Sequence, residues 1–206
     1  MFVQAKIILW EQGPSVLWSG VQNQRPVLVV EQACLVSQGP GLRARQRRLS
    51  EVRHPSLARV LEVGWSERAG VSQSLLERVS GVPVAALHFA VCEYVLLGAL
   101  EQLAGALAAC HRRGLALGSV NPGRVLLSRR PEITLVLTGA AAQGTPEQDV
   151  AGLAQVCREL SYGQVLSRPF QLLLSALDRG LVSAEQAQRS ASAIQSQVAQ
   201  KLRMAS

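Results

Sequence analysis

The pattern of this chain changes character near residue 80. Before that point, apolar and β-branched residues come in short runs that predict strands: Lys6–Trp10, Val16–Trp18, Val27–Glu31, Leu57–Trp65 and Ser74–Val79. One helical segment interrupts them. Gly39-Pro40-Gly41 is expected to break the chain, and Leu42 to Arg53 then places Leu42, Leu49 and Val52 at helical spacing. His54-Pro55 should end that helix, because the residue before a proline disfavours the α region. Beyond residue 80 the pattern is mainly helical. Val84 to His111 carries a long helical pattern with room for one break, and helices are expected over 149–161 and 168–178. Val125–Leu127 and Ile133–Leu137 read as a hairpin over Ser-Arg-Arg-Pro-Glu.

The last segment opens with Ser183 and Gln186, the two side chains of a capping box. Ala187, Ala191, Ile194, Val198 and Leu202 then recur as a thin small-residue stripe. That stripe suits packing on its own domain or docking of a partner. The expected organisation is an α+β fold: a strand-rich part with one helix over 1–80, a helical part over 81–182, and a terminal helix over 183–206.

Composition narrows the function classes. The 206 residues suit one domain or two small lobes, and 48% hydrophobic content is ample for a core. Phe89 to Cys110, the richest apolar stretch, is interrupted by Glu93 and Glu101, so no membrane span is expected. The N-terminal apolar run is too short for a signal peptide, and a cytoplasmic protein is the expectation. Cys34, Cys92, Cys110 and Cys157 stand far apart, with no paired spacing and no histidine at zinc-ligand spacing. Free thiols are expected, with no metal and no cofactor. The net charge of +7 is carried almost wholly by arginine, since Lys6 and Lys201 are the only lysines.

The segment Cys110–Leu127 carries the most specific information. His111, Gly114, Pro122 and the apolar run Val125–Leu127 keep the frame of a His-x-x-Gly lead-in, then His-Arg-Asp-Leu-x-x-x-Asn, then a short strand. Around it, in order, stand His54-Pro55 with Val60, then Glu77 and Gly81 at a hinge-like junction. A stretch around Leu137-Thr138-Gly139 follows, and then an Asp149-Val150 helix running to Glu159-Leu160. Over about residues 5 to 180 this order resembles a protein kinase. The resemblance implies a kinase-like fold with a reduced, mainly helical C-terminal lobe.

The groups that kinase chemistry requires are replaced at each matched position. Phosphoryl transfer depends on positioning and charge stabilisation, so the loss of charged groups is decisive. The third-strand lysine position holds Val30, and Lys6 is the one nearby alternative. The helix glutamate that would pair with that lysine falls near Arg45. Ser119 stands at the catalytic aspartate, and a hydroxyl has no base of its own to take the substrate proton. Arg124 stands at the metal-binding asparagine and Leu137 at the metal-binding aspartate of Asp-Phe-Gly. Between Gln102 and Pro146 the one acid is Glu132, against Arg112, Arg113, Arg124, Arg129 and Arg130. Magnesium needs oxygen ligands, which this span lacks. Arg124 is expected to face solvent or to meet Glu132, or else to serve as a charge for a bound nucleotide. Gly13-Pro14 occupies the glycine-rich loop, where proline has no N–H to offer a phosphate. Only residues 140–148 separate Gly139 from Asp149, with Pro146-Glu147 as a possible remnant of Ala-Pro-Glu, so the peptide-substrate platform is abbreviated.

The resemblance therefore implies a pseudokinase that acts by binding: a scaffold, an allosteric regulator or a subunit of a larger assembly. The candidate partner surface is the cluster Arg43, Arg45, Arg47 and Arg48 on the first helix. Like charges at i,i+4 are mildly unfavourable, which points to an acidic partner protein or to acids nearby in the fold. Two alternatives come from other classes. One is a nucleotide sensor without phosphotransfer, using backbone groups near Glu77–Val79. The other is a basic nucleic-acid-associated protein, disfavoured by 4% aromatic content and the lack of a stacking motif.

Overall fold

Val27, Leu28, Val29 and Val30 are buried in succession, because their strand is covered on both faces. A computed structural model describes residues 4–12, 15–33, 39–66, 70–118, 120–128, 133–135 and 144–205. The strand is β3 (Arg25–Ala33), the centre of a five-stranded antiparallel sheet with β1 (Gln4–Gln12), β2 (Ser15–Gln22), β4 (Val60–Ser66) and β5 (Val71–Glu77), in the order β1-β2-β3-β5-β4. Side chains alternate across a strand. Leu28 and Val30 therefore join Leu17, Val60 and Leu76 on one face, while Val27 and Val29 join Leu75 and half-buried Trp18 on the other. Asn23 and Gln24, both with positive φ, form the two-residue turn that joins β2 to β3.

Helix α1 (Gly39–Ser50) lies between β3 and β4 in sequence. Gly39-Pro40-Gly41 is its first turn, not a break before it. Proline is tolerated there because its missing N–H would have had no helical partner. The helix ends at Ser50, before the expected Arg53: the Val52 N–H bonds to the Leu49 carbonyl at 3.0 Å, tightening the last turn. Gln46 and Ser72 exchange buried hydrogen bonds of 2.8 and 3.0 Å and fasten α1 to β5. The strand expected from Leu57 begins at Val60, because Leu57 donates back to the His54 carbonyl in a turn. Likewise the strand expected at Ser74–Val79 is Val71–Glu77, set by its pairing with β3.

The remainder is mainly helical. A 3-10 turn at Val84–Ala86 precedes α2 (Glu93–His111), so the long helical pattern does contain a break. Helices α3 (Pro146–Ser161), α4 (Arg168–Asp178) and α5 (Ala184–Ala205) complete this part. A small sheet of β6 (Val82–Pro83), β7 (Val125–Leu127) and β8 (Ile133–Leu135) sits against it. The expected second strand of that hairpin reached Leu137; Val136 and Leu137 lie outside the described residues. Helix α2 is long and apolar enough to cross a membrane, but 61% of that stretch is buried inside the protein as its central core helix. Ala184, Ala187 and Ala191 of α5 are buried in the same core as α2, so the small-residue stripe lets the two helices approach closely. Its cap is as expected: Gln186 N donates to Ser183 Oγ at 3.2 Å, and Gln186 Oε1 accepts from Ser183 N at 2.7 Å.

Candidate functional site

The segment that would carry catalysis is held by one buried carboxylate. Asp149 lies in the first turn of α3 with no exposure. Its Oδ2 accepts from the Leu117 backbone N–H at 2.6 Å and lies 2.9 Å from His111 Nε2, while its Oδ1 accepts from the Gly118 N–H at 2.5 Å. A buried carboxylate is tolerable when such donors surround it. Thr145 and Gln148 cap α3 with reciprocal hydrogen bonds of 3.3 and 3.1 Å, and Pro146 occupies its first turn. Pro146-Glu147 therefore opens a helix. Gly152 lets α3 approach the loop, since a Cβ there would collide with the Val120 carbonyl oxygen.

The following turn is equally ordered. Asn121 Oδ1 accepts from Gly123 N at 3.0 Å, which closes the 3-10 turn Pro122–Arg124 that leads into β7. Arg124 is 5% exposed, and burial pushes its guanidinium down to about 10. The expectation that it faces solvent is thus corrected. The turn packs it beneath neighbouring elements, an arrangement that no local sequence pattern encodes. Glu132, its other expected partner, lies outside the described residues, as do Ser119, Leu137 and Gly13-Pro14. The side chain of Lys6 is also outside the described set.

Val30 lies on β3, the central strand of the sheet. It is 2% exposed and belongs to one contiguous apolar core with Leu17, Leu28, Ala58, Val60 and Leu76 of the sheet and Leu126 of β7. Leu17 and Leu126 are each 1% exposed. Leu126 thus joins β7 to the apolar core of the sheet. At the junction, Glu77 accepts from Arg59 N at 3.0 Å, and Gly81 adopts φ +147. A Cβ at Gly81 would come within 2.9 Å of the Leu127 carbonyl oxygen, so glycine is required there.

The arginines of α1 do not share one face. Residues 45 and 48 lie about 60° apart around a helix, whereas 45 and 47 lie about 160° apart. Arg45 and Arg48 line one cavity, while Arg47 is exposed. Burial lowers the Arg45 guanidinium pKa; nearby Asp149 opposes the shift and Arg48 adds to it. Arg48 Nη2 donates to the Arg113 carbonyl at 2.5 Å. The side chain of Arg43 is outside the described set. Among the described residues, no three His, Cys, Asp or Glu side chains gather as a metal site would require. Cys110 and Cys157 are buried free thiols and Cys92 is an exposed one; Cys34 lies outside the described residues.

Sequence reasoning missed the central role of Asp149. The available signal was an acid in a capped first helical turn, Thr145-Pro146-Glu147-Gln148-Asp149, together with the histidine of the His-x-x-Gly lead-in.

No family model matches the chain. Among solved structures, it is similar to Rad53 1-466 in complex with AMP-PNP, with a TM-score of 0.73 and 12% identity over 89% of this chain. The chain spans 63% of that protein's length. The likeness establishes a protein kinase-like α+β fold, as the residue order had implied.

Proposed function

We propose that this protein is a pseudokinase: a kinase-like fold that does not transfer phosphate and acts through a protein-binding surface. The observation that carries the reading is the burial of Val30, matched to the phosphate-binding lysine, inside the apolar core shared with Leu17 and Leu126. A nucleotide entering at that level would have to displace packed side chains, and valine offers its phosphates no charge. Arg124, matched to the metal-binding asparagine, adds a cation where a metal would sit. The carboxylate of Asp149 is occupied by the loop it anchors.

The frame thus keeps the ties that hold its shape while the charged groups of catalysis are replaced. Its function then lies in its surfaces: scaffold, regulator or assembly subunit. The α1 arginines are the proposed contact for an acidic partner protein, with Arg43 at i,i+4 from exposed Arg47. The test is quantitative co-purification from native lysate with wild type and with an Arg43→Glu/Arg47→Glu double variant. The variant should lose specific partners while its melting temperature stays nearly unchanged. Retention of every partner would remove α1 as the contact surface.

A further inference from the structure

A cavity of about 410 Å3 lies between α1 and the turn that follows α2. Gly41, Ala44, Gly114, Ala116 and Gly144 form much of its wall, and these residues carry almost no side chain into it. The long polar side chains at its edge are Arg45, Arg48 and His111. The acid beneath them is Asp149, which already receives the Leu117 and Gly118 amides and His111. Among the described residues, two guanidinium groups stand near this one carboxylate. Arg45 is half-buried, and the charge of Arg48 acts on its guanidinium. Arg48 is held at the mouth by its bond to the Arg113 carbonyl, which uses one of its N–H groups and leaves others for a ligand. Exposed Glu147 lines a separate, smaller cavity on the other side of His111 and Pro146.

We propose that this cavity binds a phosphomonoester dianion through Arg45 and Arg48. The chemistry favours phosphate over a carboxylate. A dianion matches two guanidinium groups on one cavity, and its tetrahedral oxygens can meet two forks at once. The small walls leave room for the ester stem. This deepens the reading of α1 as the contact surface: the partner's acidity would be a phosphorylated side chain. A free phosphorylated small molecule would use the same groups.

Isothermal titration of the full chain at fixed ionic strength tests the site. The probes are inorganic phosphate, glycerol phosphate, a phosphoserine peptide, the same peptide with glutamate, and the unmodified peptide. Saturable binding of the phosphoserine peptide, at least tenfold tighter than the glutamate form, is expected. Arg45→Gln and Arg48→Gln should each weaken it at least tenfold, and Arg25→Gln at the start of β3, outside the cavity lining, should leave it unchanged. Arg48 is exposed, so its variant reports even if Arg45→Gln fails to fold. Tighter binding of glycerol phosphate than of the peptide would support the site and assign it to small molecules. Equal binding of the glutamate peptide, equal loss in Arg25→Gln, or no saturable binding of any phosphate probe would overturn the proposal. Partner capture lost in Arg43→Glu/Arg47→Glu alongside a silent cavity would sink this site and leave the scaffold reading standing.

Discussion

Asp149 reaches across thirty-two residues of sequence to accept the Leu117 backbone N–H at 2.6 Å, from a position with no solvent exposure. This one carboxylate fixes the loop that leads toward Ser119 and ties the start of α3 to the end of α2. Asp149→Asn keeps the shape but turns one acceptor into a donor facing the donors already present. Hydrogen bonds to charged groups are worth about 1.5–3 kcal/mol each, and stranding buried donors adds to the loss. Asp149→Asn is expected to lower unfolding free energy by about 2–4 kcal/mol. Urea denaturation measures it, and an unchanged midpoint would show that the loop holds itself.

Placing lysine at position 30 should not create nucleotide binding. Val30 is 2% exposed among Leu17, Leu76 and Leu126, so Val30→Lys places an ammonium group in hydrocarbon. The expected cost is about 3 kcal/mol or more. Thermal melting with and without MgATP separates the outcomes. A stable variant that gains a nucleotide-dependent shift would mean that the cleft opens readily.

The two buried thiols make alkaline pH destabilising. Burial pushes Cys110 up to about 12, with Asp149 adding to the shift, and burial likewise pushes Cys157 up to about 12, against an ordinary value of 9.0. Above pH 9 the unfolded chain loses these protons and the folded chain keeps them, so stability falls as pH rises from 9 towards 12. Arg124, pushed down to about 10, acts in the opposite direction only above that pH. Between pH 8.5 and 10 the two thiols together should cost about 2–3 kcal/mol. Cys157→Ala should remove about half of that slope in urea titrations at successive pH values. An identical slope in the variant would contradict the assignment.

The strand-then-helix order, the capping box at Ser183 and Gln186, and the junction at Glu77 and Gly81 were legible because each rests on neighbouring residues. The equivalent capping box at Thr145 and Gln148 was equally local, but it was obscured by the resemblance of Pro146-Glu147 to another motif. Gly39-Pro40-Gly41 misled for the opposite reason: glycine and proline punctuate chains, yet both fit a helix's first turn. The burial of Arg124 and the donors around Asp149 depend on packing between segments far apart in sequence. A side-chain pattern carries no trace of a backbone N–H that will point at a distant carboxylate. The arginine run read as one surface, although helical geometry turns Arg45 and Arg48 towards the cavity and Arg47 away from it.

Titration of MgATP into the purified protein tests most directly whether the core around Val30 admits a nucleotide. Heats should be indistinguishable from dilution with and without magnesium, and γ-phosphate should not move to the protein or to added substrates. Saturable, magnesium-dependent binding that disappears in Arg124→Ala would contradict the account, because it would place a working nucleotide and metal site where Val30 and Arg124 now argue against one.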